Sequence, residues 1–209
     1  MLPATIAASQ DPALTNFLAT APASLPLQRS DVSGEMALCR LSLCNTGIVS
    51  CVRYNGCYWI TLADISRITE FRLASFGRRL RGTDQRLKNK LTSALRKLDA
   101  RNESLKVSKD SSFLQLLRNN DCVPTSKEQK VFAWFAVPFD ELLLDILEDD
   151  LKAEDDQQQG RPCKTPLTEP VALPATTMAY ARFLLEREEQ VGAELRNPSS
   201  PAATSTPPS

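Results

Sequence analysis

Histidine is absent from this 209-residue chain. Without an imidazole, no Ser-His-Asp or Cys-His nucleophile, HExxH zinc site or Cys/His zinc finger can be assembled from its own residues. Glycine is scarce, at seven residues, and no P-loop, GxGxxG or GxSxG pattern occurs. The expectation is a protein that is not an enzyme and needs no cofactor. No apolar run approaches the length of a membrane span, and the first thirty residues lack the basic start and continuous apolar centre of a secretory leader. A non-secreted protein with no membrane contact is expected, nuclear or, as the alternative, cytoplasmic.

In such a compartment the six cysteines stay reduced rather than forming a disulfide framework. Cys39, Cys44, Cys51 and Cys57 are separated by four, six and five residues, without the close CxxC knuckle that places two thiolates on one metal. They read as small strand thiols, and no metal site is expected.

A net charge of zero conceals strong segregation. Residues 67–109 hold thirteen basic side chains and four acidic ones, a net of +9, whereas residues 140–156 hold nine acids and one lysine, a net of −8. Composition divides the chain further. The proline-rich residues 1–34 read as a disordered leader with a faint helical pattern at 13–19. Residues 35–151 read as a small α+β domain, 152–175 as a linker, 176–196 as a helix and 197–209 as a disordered tail.

Within the domain, ALCRLSLC and GIVSCVRY flank the turn signal Cys44-Asn45-Thr46-Gly47. Asn55-Gly56 then tolerates the positive φ angles of a two-residue hairpin turn, and Cys57 to Ile60 supplies the returning strand. Thr61 suits a helix N-cap with Asp64 in the first turn, ahead of an apolar stripe at Leu62, Ile65, Ile68 and Leu73. A second amphipathic helix is expected from Thr83 to Asp99, a short apolar element at Phe113 to Leu117, and a buried strand at Val131 to Val137. A leucine-rich acidic helix over 139–151 follows, with Asp140 as its N-cap. The expected fold is a small β-hairpin sheet packed with two or three helices.

The stretch Val52 to Ile65 places a glycine-bearing hairpin turn, Trp59, a few small or apolar residues, then Asp64 and Ile65 at a helix start. In this it resembles Bro-N/KilA-N type DNA-binding domains of phage antirepressors and large DNA viruses, over about residues 48–90. The resemblance implies a DNA-binding transcriptional regulator of viral origin acting in the host nucleus. Read without it, Trp59 packs the hairpin on the helix and Asp64 stabilises the helix N-terminus, tasks common to many small domains.

Two surfaces follow from the charge pattern. Arg72, Arg78, Arg79, Arg81, Arg86, Lys88, Lys90, Arg96 and Lys97 are the candidates for contact with duplex DNA, since arginine and lysine on one face displace counterions from phosphates. Phe139, Leu142, Leu143, Ile146 and Leu147 are the candidates for docking a protein partner, as in acidic activation segments that fold into a coactivator groove. Four other uses of these segments remain open. The leucines can close the core or form a leucine-rich export signal, the acidic segment can fold back on the basic one within the chain or in a homodimer, and the whole can be an adaptor that never touches nucleic acid.

Overall fold

The structure, a computed structural model, describes residues 11–25, 36–123, 125 and 127–171. The helix expected over 176–196 and the tail 197–209 lie outside the described residues.

Strands β1 (Ala37–Leu43), β2 (Gly47–Tyr54) and β3 (Cys57–Thr61) form a meander. Its second turn closes on the pair Tyr54 and Cys57, with Asn55 and Gly56 at φ of 52° and 72°. Two positive φ angles are what a type I′ turn requires, and Asn-Gly supplies them at low steric cost. Strands β5 (Ser104–Val107) and β6 (Gln129–Ala133) extend the meander to an antiparallel sheet of order β1-β2-β3-β6-β5. The fold is α+β, with a wider sheet than two hairpins provide.

Alternation along the strands gives this sheet two buried faces. Val52 and Val131 meet Phe113, Leu114 and Leu117 of helix α5 (Ser112–Asn119) on one side. Val49, Cys51, Ile60 and Phe132 face the larger core on the other. That core is filled by helices α1 (Pro12–Thr20), α2 (Leu62–Ser75), α3 (Gln85–Ala94), α4 (Arg96–Ala100) and α6 (Phe139–Gln158). A short ribbon of β4 (Arg78–Leu80) and β7 (Thr168–Pro170) completes the unit.

The start of α2 shows why hairpin and helix come as one piece. The Thr61 hydroxyl accepts from the Asp64 N–H at 3.1 Å and donates to the Asp64 carboxylate at 2.8 Å. Arg67 donates to the same carboxylate at 2.8 Å. Asp64 is fully buried, and that burial raises its pKa to about 6 against the lowering pull of Thr61 and Arg67.

Several boundaries differ from the sequence-based expectation. Within the expected leader, residues 12–20 form α1, capped by Asp11, because Leu14 and Phe17 have the core to enter. The helix expected from Thr83 to Asp99 breaks at Leu95, which keeps Leu95 and Leu98 inward at 1% exposure. The strand expected through Val137 ends at Ala133, and Trp134 to Ala136 form a 3-10 turn. Trp134 turns inward there, edge-on to Phe17 at 5.6 Å, with its indole N–H donating to the Leu18 carbonyl at 3.1 Å. Helix α6 starts after Pro138 with no side-chain cap, so Asp140 lies in its first turn instead of capping it. It runs to Gln158, into the expected linker, because Asp150 and Ala153 continue its buried stripe.

Candidate nucleic-acid interface

The nine basic candidates do not form one surface. Arg72 on α2 is 7% exposed and donates to Asp140 at 2.5 Å. Arg78 on β4 pairs with Glu154 and donates to the Thr168 hydroxyl at 2.6 Å. Lys90 on α3 reaches Asp149 at 2.5 Å and the Asp145 carbonyl at 3.0 Å, and Lys97 on α4 reaches Glu141 at 3.0 Å. All four carboxylates belong to α6, so the acidic segment folds back on the basic one within a single chain.

A second group is held by the segment that follows α6. Arg79 pairs with Glu169 at 2.5 Å, and Arg81 donates to the Thr168 carbonyl at 2.9 Å while lying 4.0 Å from Glu169. These contacts tie β4 to β7, and the acid beside them is held charged. Hydrogen bonding from Arg79 keeps the Glu169 carboxyl below its ordinary pKa range.

Arg86, Lys88 and Arg96 remain. Arg86 donates to two neutral acceptors, the Thr165 carbonyl at 2.8 Å and the Pro166 carbonyl at 3.4 Å, so its charge is not compensated. Among the described residues Lys88 pairs only with Asp84, one helical turn away at the exposed start of α3, a pairing that contributes little and exchanges readily in water. Arg96 is exposed at the start of α4, and among the described residues no carboxylate lies within 4.0 Å of it. The nearby acid, Asp99, is taken by Lys130 at 2.6 Å and by Ser104, whose hydrogen bonds hold it below the ordinary carboxylate range.

The side chains between these cations were missed by reasoning from charge. With Leu87 and Leu91 turned inward, α3 presents Gln85, Asn89, Thr92 and Ser93 on its exposed side. The Gln85 amide donates to the Asn89 amide oxygen at 2.9 Å, one turn apart. Carboxamides at helical spacing among arginines and lysines were the available signal, since such groups match the donor and acceptor pair on an adenine edge. The outer face of α3 and α4 therefore combines side chains that can read base edges with cations that can hold phosphates.

The proposed docking leucines are elsewhere. Leu142, Leu143, Ile146 and Leu147 are at most 6% exposed within the larger core, and Phe139 packs against it beside Trp134. Leu142, Leu143, Ile146 and Leu147 thus close the core, whereas the half-buried Phe139 lines an open recess beside α1.

A family model described as STE like transcription factor matches residues 22–196. The chain is similar to transcription factor CPH1 of Candida albicans, 39% identical over 138 residues, which is 66% of this chain and 20% of that protein. It is similar to transcription factor MST12 of Pyricularia oryzae, 34% identical over 197 residues, 94% of this chain and 26% of that protein. Protein STE12 of Saccharomyces cerevisiae is 36% identical over 166 residues, 78% of this chain and 22% of that protein. The chain thus spans about a fifth to a quarter of the length of these relatives. No solved structure matches.

These matches correct the resemblance to Bro-N/KilA-N domains and the viral origin it implied. The motif behind that resemblance performs general structural work. Trp59 donates its indole N–H to the Tyr54 carbonyl at 3.2 Å across the hairpin, and Asp64 closes the first turn of α2. A match that starts after α1 and runs through α6, over the sheet and the basic helices alike, leaves one assignment: the chain belongs to the STE-like transcription factor family.

Proposed function

We propose that this chain is the DNA-binding part of a nuclear transcriptional regulator and that the outer face of α3 and α4 enters the major groove of duplex DNA. The observation that carries this reading is the association of the Gln85 and Asn89 carboxamides with Arg86 and Arg96, two exposed cations with no carboxylate within 4.0 Å among the described residues. In this arrangement Arg86, Lys88 and Arg96 hold the phosphate backbone, and Gln85 and Asn89 read base edges. Arg72, Arg78, Lys90 and Lys97 serve instead to hold α6 in place, and Arg79 and Arg81 to hold β7. The names of the relatives, all transcription factors or STE12 proteins, support the regulatory class.

The test is fluorescence anisotropy with labelled random-sequence duplex DNA across a salt series. Binding is expected at low salt with log affinity falling linearly against log salt, by about 0.9 for each phosphate contact. Absence of binding at low salt would sink the proposal and favour a protein adaptor.

A further inference from the structure

Two adjacent stripes run along the outer side of α3. Gln85, Asn89 and Thr92 form one, and Arg86, Lys90 and Ser93, each one position further along, form the other. The second stripe walls a recess whose other sides are the end of α6, with Lys152, and a strap without regular structure, residues 161–166, that carries Lys164 towards β7. The carboxylates of this recess are already occupied. Asp149 is joined to Lys90 at 2.5 Å and Asp156 to Arg161 at 3.5 Å, while Asp150 accepts from the Leu167 N–H at 2.6 Å, the Thr168 N–H at 2.7 Å and the Thr168 hydroxyl at 2.6 Å. Arg86, Lys152 and Lys164 have no carboxylate within 4.0 Å among the described residues.

We propose that this recess is a phosphate-binding site, in which Arg86, Lys152 and Lys164 hold the sugar-phosphate backbone of the duplex whose bases α3 reads. The placement follows from dimensions. An α-helix with its side chains is about 10–12 Å across and the major groove is about 12 Å wide. A helix that turns one stripe to the groove floor therefore brings the neighbouring stripe against the phosphates of one wall. On α3 that neighbour is the Arg86 stripe, which borders the recess. Resting on the function proposed above, this extends the grip of α3 to two lysines outside it. Lys152 is the one base among the nine acids of residues 140–156, and it stands at this recess.

A single solvated lysine marks nothing. Here cations from α3, α6 and the strap converge, and the strap is fixed in place. Arg86 donates to the Thr165 and Pro166 carbonyls at 2.8 Å and 3.4 Å, Pro166 and Leu167 are buried, and Asp150, 3% exposed, clamps the backbone of the next two residues. The backbone that carries Lys164 is thus held beside α3. Arg86 uses two N–H donors on the strap, and a guanidinium has further donors for a phosphate oxygen. Groups held in position before binding lose less freedom on binding, and each phosphate they neutralise releases counterions.

Iodoacetamide alkylation of the full chain, mapped by peptide mass spectrometry, reads the recess directly, because Cys163 lines it and is exposed. Saturating random-sequence duplex at low salt is expected to slow alkylation of Cys163 severalfold and to leave Cys44 and Cys57, exposed at the hairpin turns, unchanged. In anisotropy, Lys152→Gln with Lys164→Gln is expected to weaken binding of all duplexes alike by about tenfold and to lower the salt slope by about 2, with the thermal midpoint unchanged. A duplex that binds without protecting Cys163, equal slowing at all three thiols, or a slope that the two substitutions leave unmoved overturns the proposal. Inorganic tripolyphosphate, a free source of the same chemistry, is expected to protect Cys163 in the parent chain and not in Lys152→Gln with Lys164→Gln. Absence of that protection also overturns the proposal. If the chain binds no duplex at low salt, the function proposed above fails by itself, while tripolyphosphate still decides whether the recess takes phosphate.

Discussion

Helices α3 and α6 invite the same reading in sequence and have opposite fates in the structure. Each is amphipathic, strongly charged and rich in leucine. α6 buries Leu142, Leu143, Ile146 and Leu147 and spends its acids on cations of α2, β4, α3 and α4. α3 buries only Leu87 and Leu91 and keeps amides and cations outward. Charge density alone does not mark a surface for a partner. What separates the two helices is whether the charges meet opposite charges inside the chain, and α3 with α4 retains two arginines with no carboxylate within 4.0 Å among the described residues.

Truncating the buried side of α6 is the strongest way to strain this contrast. Leu143→Ala is expected to cost about 2–5 kcal/mol of stability, the range for a fully buried leucine, read as a lowered midpoint in thermal or urea unfolding. A variant of native stability would return Leu143 to the list of exposed docking residues. Asn89→Ala on the exposed side of α3 is expected to leave the unfolding midpoint nearly unchanged. It should instead relax preference at one base pair by about 1–3 kcal/mol, measured with a panel of single-substitution duplexes.

A smaller effect comes from the join between sheet and helix. The Asp64 carboxyl, raised from 3.8 to about 6 mainly by burial, binds its proton more tightly when folded than when unfolded. Between about pH 4 and pH 6 the folded state therefore holds more protons, and this group makes stability fall as pH rises through that window. Denaturant midpoints measured across it should show that downward contribution, and Asp64→Asn should remove it. A pH dependence identical in the variant would contradict the assignment.

The smallest expected effect is at the outer ion pairs. Lys97 and Glu141 have side chains 50% and 66% exposed, so removing or exchanging their charges should alter stability by no more than about 0.5 kcal/mol. A larger change would mean that these pairs, and not the leucines beneath them, fasten α6.

Much of the fold is written locally. Asn55-Gly56 supplies the turn, Thr61 and Asp64 the helix start, and strand alternation the two faces, all within windows of a few residues. The α+β class follows from such signals. The route of Trp134 is not written that way, because it turns inward to meet Phe17, a residue more than a hundred positions earlier. The same holds for the site. Nine cations are visible in the sequence, but most of those that are neutralised meet acids 44 to 90 positions away along the chain. Gln85 and Asn89 lack charge, so a search for basic residues passes over them.

The central claim is that DNA is held by the cations of α3 and α4 that lack carboxylate partners, and not by those joined to α6. The most direct measurement is the salt dependence of duplex binding for Arg86→Gln with Arg96→Gln, set beside Lys90→Gln with Lys97→Gln, each checked for an intact thermal transition. The first pair is expected to weaken binding by about 10- to 100-fold and lower the salt slope by about 2, while the second leaves the slope close to that of the parent chain. Equal losses in both pairs, or an unchanged slope in the first, would contradict it.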